Sequence, residues 1–182
     1  MKQLELLMDA TALDRALTRI SHQILERNLD LNNLGIVGMQ TRGVFLARRI
    51  ADKINSLEKT SLSSGVLDIT LYRDDYRMAL KQPKVQVTHI PFDINGIDMV
   101  LVDDVLYTGR TVRAALDALN DFGRPKTIQL AVLIDRDYRE MPIRADYIGM
   151  TVTTRMNQEV SLKVKEIDGE DCLWLMELEK GD

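Results

Sequence analysis

Two adjacent carboxylates, Asp103 and Asp104, follow the apolar run Val100-Leu101-Val102, and Thr108-Gly109-Arg110-Thr111 follows a little further on. The apolar run reads as a buried strand that delivers both acids to its C-terminal end. A helix then begins around residues 109–111, because Val112, Ala115, Leu116 and Leu119 recur at helical spacing. Two hydroxyls, one glycine and the first unpaired N–H groups of that helix meet at one point. Such a helix start binds anions, phosphate above all, through oriented N–H groups and the macrodipole. Gly109 lets the backbone come close to a ligand. The acids would repel a phosphate, so they suit hydroxyl groups or a cation beside it. A sugar phosphate satisfies both halves together. The alternative is an ordinary strand end followed by an ordinary helix start. It is the poorer reading, since two acids at a buried strand end need a partner.

The flanking elements are those that must position this segment. Asp9 suits a helix N-cap, and Leu13, Ala16, Leu17, Ile20 and Ile24 give the following helix one apolar face, ending near Asn28. Residues 34–39 read as a buried strand, 40–43 as a polar turn, and Val44, Ala47, Ala51 and Ile54 as a second helix. Leu67, Ile69 and Leu71 alternate with Asp68, Thr70 and Tyr72, the pattern of a strand with one apolar face. Residues 74–84 are polar, carry Pro83 and read as a loop. Gly123 and Pro125 stop the helix that begins at the Thr-Gly, and 128–134 is another strand. Residues 136–145 are a charged connection, and 147–179 read as short strands joined by turns at Asn157 and Gly169. Strand and helix alternate, and the strands are apolar enough to be covered on both faces. That predicts an α/β fold with a mainly parallel sheet. Ligands then bind outside the carboxyl ends of the strands. Residues 40–43, 72–75, 103–111 and the pair Asp135-Arg136 all fall there.

A chain of 182 residues suits one domain, and its hydrophobic and charged fractions, 45% and 29%, suit a water-soluble one. A net charge of −4 argues against a dedicated non-specific nucleic-acid binder, while leaving room for a local basic patch. The lone Cys172 excludes an intrachain disulfide. With no signal-peptide pattern and no apolar run of membrane-spanning length, the expected location is the cytoplasm, away from membranes.

The string from Val100 to Thr111 resembles the phosphoribosyl-pyrophosphate motif of type I phosphoribosyltransferases. The resemblance implies that Asp103 and Asp104 hold the ribose hydroxyls. It implies that Val105, Leu106, Tyr107, Thr108, Gly109, Arg110 and Thr111 form the loop around the 5′-phosphate. Thr41-Arg42-Gly43 is similar to the family's pyrophosphate loop. Tyr72-Arg73-Asp74-Asp75 is similar to the start of its flexible loop. Arg42, Arg73, Asp103 and Asp104 are then the expected catalytic groups. Mg²⁺, bound together with phosphoribosyl pyrophosphate, lies near Asp103 and Asp104 without a firm protein ligand. The implied fold is a twisted, mainly parallel sheet flanked by helices. Its core spans about 9–136, with a small hood from the termini, about 137–182.

Residues 68–75, 102–113 and 139–149 narrow the resemblance to a subfamily, the pyrimidine-operon attenuation regulators that double as uracil phosphoribosyltransferases. This similarity runs from about Asp9 to the C-terminus. It implies uracil as acceptor, UMP and pyrophosphate as products, leader mRNA of a pyrimidine operon as partner, and a homo-oligomer. Purine members carry an acid just before the Thr-Gly, used as a base on the ring. Here Tyr107 stands there, and a phenol with a pKa near 10 is a poor base at neutral pH. Asp135 and Arg136 are the expected base-side groups, with a surface salt bridge as the alternative. Thr18, Arg19, His22 and Arg27 match one RNA-facing segment, and Arg139 and Arg144 a second; the alternative is a solvated charged face. Two positions depart from the subfamily. Tyr138 stands where histidine is expected and Met150 where lysine is expected. Each change removes a possible phosphate or base contact, although Tyr138 can stack on an unpaired base. The competing readings are a salvage enzyme without RNA binding and a non-catalytic phosphoribosyl-pyrophosphate or nucleotide sensor. The Tyr72-Arg73-Asp74 and Thr41-Arg42 segments argue against the sensor.

Overall fold

The apolar run Leu34–Met39 forms a strand that is buried at every position, as a strand covered on both faces must be. In the computed structural model, which describes residues 1–72 and 87–178, it is β2 of the following series. Strand β1 (Lys2–Met8) is followed by α1 (Ala10–Arg27), a 3-10 turn (Leu31–Asn33), β2, α2 (Arg42–Glu58) and β3 (Ser64–Leu67). Then come β4 (Asp98–Leu106), α3 (Arg110–Leu119), β5 (Thr127–Arg136), β6 (Tyr147–Val152), β7 (Gln158–Lys163), the single turn α4 (Lys165–Asp168) and β8 (Cys172–Glu177).

Strands β3-β2-β4-β5-β6 make a five-stranded sheet, and every pairing in it is parallel. Its two faces carry two cores, set by the period of two along each strand. Val100 and Val102 of β4 pack with Ile36, Leu13, Leu17, Ile20, Leu46 and Ile50, so α1 and α2 cover one face. Met99 and Leu101 pack with Val37, Met39, Ala115 and Leu119, so α3 covers the other. Asp9 caps α1 as its residue type requires, its carboxylate accepting the N–H of Ala12 at 2.7 Å. Among the described residues no helix is long and apolar enough to cross a membrane.

A second, antiparallel sheet, β1-β8-β7, forms the hood. It is fastened to α2 by ion pairs. Arg49 grips Glu166 with Nε at 2.9 Å and Nη2 at 2.6 Å, and grips Asp171 at 3.1 and 2.7 Å. About two turns earlier on α2, Arg42 Nη2 meets the carboxylate of Asp168 at 3.1 Å.

Two sequence expectations need correction. The strand expected over 67–72 instead runs from Ser64 and ends at Leu67. Asp68 breaks it: its carboxylate accepts the N–H of Thr70 at 2.9 Å and the Thr70 hydroxyl at 2.6 Å. This local turn carries the chain out of the sheet, and Leu71 ends up exposed. The core does not stop near residue 136, because β6 is the edge strand of the main sheet, paired with β5 from Ala131↔Tyr147 to Arg136↔Val152. The hood includes β1 from the N-terminus, a strand whose mostly exposed residues leave no periodic apolar signature.

The Arg49 cluster gives a pH signature. Arg49 holds the Glu166 carboxyl below its usual range. Burial works to raise Asp171, but hydrogen bonds from Arg49 and from the Lys165 N–H outweigh it, so Asp171 is lowered too. Both acids therefore bind protons less readily in the native state than in the unfolded one. The stability they contribute is present above the ordinary carboxylate range and is lost as pH falls through the lowered values. The melting temperature is expected to fall on acidification below about pH 4, and Arg49→Met is expected to make that fall shallower. Parallel acid limbs for variant and wild type would show that Arg49 does not fasten the hood.

Candidate active site

Strand β4 ends in the acid pair. Asp103 is buried, and its Oδ1 accepts the Asp104 N–H at 2.9 Å; Asp104 Oδ1 accepts the Val105 N–H at the same distance. Both bonds lie within the last four residues of β4 and fix the two carboxylates near its C-terminal end. The chain then turns into α3 through Gly109, whose φ of 90° lies in the left-handed region open to glycine. No side chain caps α3. Its first N–H groups face a cavity of about 290 Å³ lined by residues 105–112. The cavity lies where the sequence leads one to expect an anion site.

The second loop arrives from β2. Thr41 precedes α2, also without a side-chain cap, after a cis Gln40–Thr41 peptide. Gly43 sits so close to β4 that an added Cβ would lie 2.6 Å from the Val102 carbonyl oxygen and 3.2 Å from Asp103 Cα. Only glycine lets α2 start there. Two helix N-termini, of α2 and α3, thus flank one pair of carboxylates. Arg42 reaches across to Asp168, whose carboxyl is held low by the Val164 N–H and then by Arg42 itself. The buried Nε of Arg42 has no hydrogen-bond partner among the described residues.

The remaining expected residues fall as follows. Tyr72 donates its hydroxyl to Asp121, and that bond pushes the phenol pKa up. Arg73, Asp74 and Asp75 lie outside the described residues. Arg136 is not on the surface. It is buried, with Nη2 3.0 Å from the Thr154 hydroxyl and 2.7 Å from the Gln158 carbonyl, and its guanidinium stacks 4.1 Å from the Tyr107 ring centroid. Burial lowers its pKa. Asp135 is paired with Arg139. Tyr107 is therefore held between Arg136 and Tyr138, whose ring meets it edge-on at 6.1 Å.

Thr18, Arg19, His22 and Arg27 all lie on α1. Arg19, His22 and Arg27 are exposed, and Thr18 is half-buried with its hydroxyl donated to Asp14. Arg19 donates to the Gly149 carbonyl and Arg27 pairs with Asp146, so α1 and the start of β6 form one surface. Arg144 is exposed beside it. Arg139, expected on that surface, instead turns inward, reaching the carbonyls of Leu106, Tyr107, Arg136 and Ile143. Sequence reasoning also missed the wall behind the phosphate loop. The Thr108 carbonyl accepts the N–H groups of Glu140 and Met141 at 2.9 and 3.0 Å, and Glu140 pairs with Arg110.

Comparison with known proteins matches residues 5–166 to the phosphoribosyl transferase domain. The chain belongs to the phosphoribosyltransferase family. Its relatives are close. It is 54% identical over 175 residues to the bifunctional protein PyrR of Acetivibrio thermocellus, covering 96% of this chain and 95% of that one. It is 56% identical over 173 residues to the bifunctional protein PyrR of Thermus aquaticus, covering 95% and 96%. Among solved structures, a hypoxanthine phosphoribosyltransferase from Staphylococcus aureus matches with a TM-score of 0.67 at 18% identity, over 98% of this chain and 94% of that one. A hypoxanthine-guanine phosphoribosyltransferase from Bacillus anthracis matches with a TM-score of 0.68 at 16% identity, over 96% and 98%. At that identity these purine enzymes share the fold, and nothing about the base follows from them.

In this phosphoribosyltransferase the loop geometry hangs on Gly109. An alanine there would carry a left-handed φ and place its Cβ 2.9 Å from Met141 Cβ. Gly96, with φ 73° and open space around it, carries the backbone cost alone. Gly96→Ala is expected to cost roughly 1–2 kcal/mol in urea denaturation, and Gly109→Ala distinctly more. Equal losses would mean that the 138–143 wall yields freely and does not define the loop.

Proposed function

We propose that the chain is a uracil phosphoribosyltransferase that also regulates a pyrimidine operon by nucleotide-dependent binding to leader mRNA. The observation that carries the enzymatic half is the convergence of two uncapped helix N-termini on the Asp103-Asp104 pair. Phosphoribosyl pyrophosphate has the matching shape: a 5′-phosphate, two ribose hydroxyls and a pyrophosphate. The 5′-phosphate takes the N–H groups and hydroxyls of residues 108–111, and the acids accept from the ribose hydroxyls. The pyrophosphate lies at the start of α2, where the Arg42 Nε offers a buried donor without a partner among the described residues.

Uracil N1 forms its bond to C1′ as the bond from C1′ to pyrophosphate breaks, and the N1 proton is released. Charge builds on the departing pyrophosphate. Arg42, the α2 N-terminus and, by the family resemblance, Arg73 are the groups that stabilise it. Positioning supplies most of the rate, so no strong base is needed. Tyr107 fits this: stacked on Arg136, it is neither an acid nor placed as a proton acceptor. Asp135 and Arg136 lie on the base side, Asp135 oriented by Arg139.

The family's Mg²⁺ fits the donor set. Among the described residues no three His, Cys, Asp or Glu side chains gather around one point. Mg²⁺ commonly takes one or two carboxylates and completes its shell with phosphate oxygens and water, which is what a lone acid pair beside a pyrophosphate site offers. When bound, it neutralises charge on the pyrophosphate. Incubation with phosphoribosyl pyrophosphate, Mg²⁺ and a panel of bases is expected to give UMP from uracil alone. Formation of IMP or GMP would sink the pyrimidine assignment.

Support for the regulatory half comes from the bifunctional relatives and from the surface that joins α1 to β6. Arg19, His22, Arg27 and Arg144 supply a local basic patch on an acidic protein. A second reading, a salvage enzyme without RNA binding, draws on Tyr138, Met150 and the inward turn of Arg139. Filter binding to pyrimidine-operon leader RNA decides between them. Tight binding strengthened by UMP is expected, and Arg144→Ala is expected to weaken it and flatten the salt slope by about one. Binding no better than to an unrelated RNA would leave the salvage enzyme.

A further inference from the structure

We infer that Asp168 of the hood is a positioning residue for the pyrophosphate end of the site, setting where the Arg42 guanidinium lies without touching the ligand itself. Arg42 is the first residue of α2. A free arginine at a helix start samples many rotamers and loses that freedom when an anion binds. Here the freedom is already removed. Nη2 lies 3.1 and 3.3 Å from the two Asp168 oxygens, which fixes one edge of the planar fork. Nε is buried and has no partner among the described residues, so the fork is held with a donor in reserve.

Asp168 is itself fixed. Its Oδ2 accepts the N–H of the fully buried Val164 at 2.8 Å, closing the turn α4. Arg49 clamps that turn onto α2 through Glu166 and Asp171. The carboxylate therefore dictates and the guanidinium follows. A carboxylate near an anion site also repels the anion, so two effects of opposite sign compete. The repulsion is the smaller, because the Val164 N–H and Arg42 already offset the charge and hold the carboxyl below its ordinary range. Charge on the pyrophosphate is greatest as its bond to C1′ breaks. A displaced Arg42 then weakens the transition state more than the ground state, so kcat falls together with affinity.

The inference rests on the phosphoribosyltransferase reading, and the experiment separates the two. Wild type, Asp168→Asn, Asp168→Glu and Glu166→Gln are compared by calorimetric titration with pyrophosphate and Mg²⁺, by titration with UMP, and in steady-state UMP formation. A wild type that binds pyrophosphate but makes no UMP fails the functional reading, and the titration still tests Asp168. A wild type that does not bind pyrophosphate overturns the inference outright. UMP carries the 5′-phosphate and ribose but no pyrophosphate, so it reports on the rest of the site. Asparagine keeps an oxygen to accept from Val164 and leaves the Arg49 pairs in place. Asp168→Asn is expected to weaken pyrophosphate binding roughly tenfold and to lower kcat by a similar factor, with UMP affinity within about twofold of wild type. Asp168→Glu keeps the charge and moves it outward by a methylene. It is expected to weaken pyrophosphate binding several-fold, and it decides the matter should Asp168→Asn fail to fold. Glu166→Gln loosens the hood without touching Arg42 and is expected to change neither affinity. Unchanged or tighter pyrophosphate binding in Asp168→Asn overturns the inference, the second by making Asp168 a brake on Arg42. So does a loss shared equally by UMP and pyrophosphate, or matched by Glu166→Gln, which would reduce Asp168 to holding the hood.

Discussion

The close approach of α2 to β4 at Gly43 constrains everything around the site. With no room for a side chain between the helix start and the Val102 carbonyl, the first turn of α2 lies beside the strand end that carries Asp103 and Asp104. Strand β4 continues through a short loop into α3, so the second helix start lies at the same end. The positive ends of two helix dipoles thus face one pair of carboxylates. Each sign of charge offsets the cost of gathering the other, and the combination prefers a ligand that carries both hydroxyls and anions. A chain of net charge −4 can hold a highly anionic substrate for this reason: local N–H groups and one or two arginines matter more than the sum.

The hood is fixed to this arrangement through the same helix. Arg42 and Arg49 lie two turns apart on α2 and reach Asp168, Glu166 and Asp171 around the short turn α4. Exposed ion pairs contribute little singly, but a bidentate arginine shared by the exposed Glu166 and the half-buried Asp171 defines an orientation. Because Arg42 opens α2 directly after the β2 loop, the position of the hood and the position of that guanidinium are one geometric fact. The hood acids therefore set where the Arg42 guanidinium sits beside the strand ends.

The acid pair, the Thr-Gly turn and the alternation of strand and helix were legible in the sequence because each is local. A buried strand announces itself by composition, a helix start by its residue types, and their junction by adjacency. The 67–72 segment misled because Ile69 and Leu71 alternate like a strand, while the Asp68 carboxylate accepts both the N–H and the hydroxyl of Thr70 and closes a turn. Local side-chain bonding overrode the pattern. Strand β1 was silent because its pairing with β8 leaves most of its residues exposed. The inward bonds of Arg139 were illegible for a deeper reason. Its partners are mostly backbone carbonyls, and a carbonyl carries no residue type, so nothing in the string distinguishes an inward guanidinium from a solvated one. For Arg136 the sequence left open a base-side group or a surface salt bridge; its burial, its stack on Tyr107 and its bond to Thr154 remove the second.

The segment from Asp135 to Gly149 joins the two halves of the molecule's chemistry. Its first part holds the phosphate loop through Arg139, Glu140 and Met141. Its last part meets α1 through Asp146 and Gly149. Between them lie only Pro142, Ile143, the exposed Arg144 and Ala145. A ligand that tightens the loop acts on one end of a short, hydrogen-bonded strap whose other end meets α1. Coupling between the two ends needs no long pathway through the core, because one short segment is in contact with both. Linkage requires that whatever the nucleotide does to the surface, a ligand on the surface does to nucleotide affinity by the same factor. The departures at Tyr138 and Met150 fall on this strap and at its far end. Tyr138, with φ 76°, turns its ring onto Tyr107. A histidine-for-tyrosine difference at that point alters the side chain packed on the loop as well as any face offered outward, so its effect on the surface cannot be separated from its effect on the site.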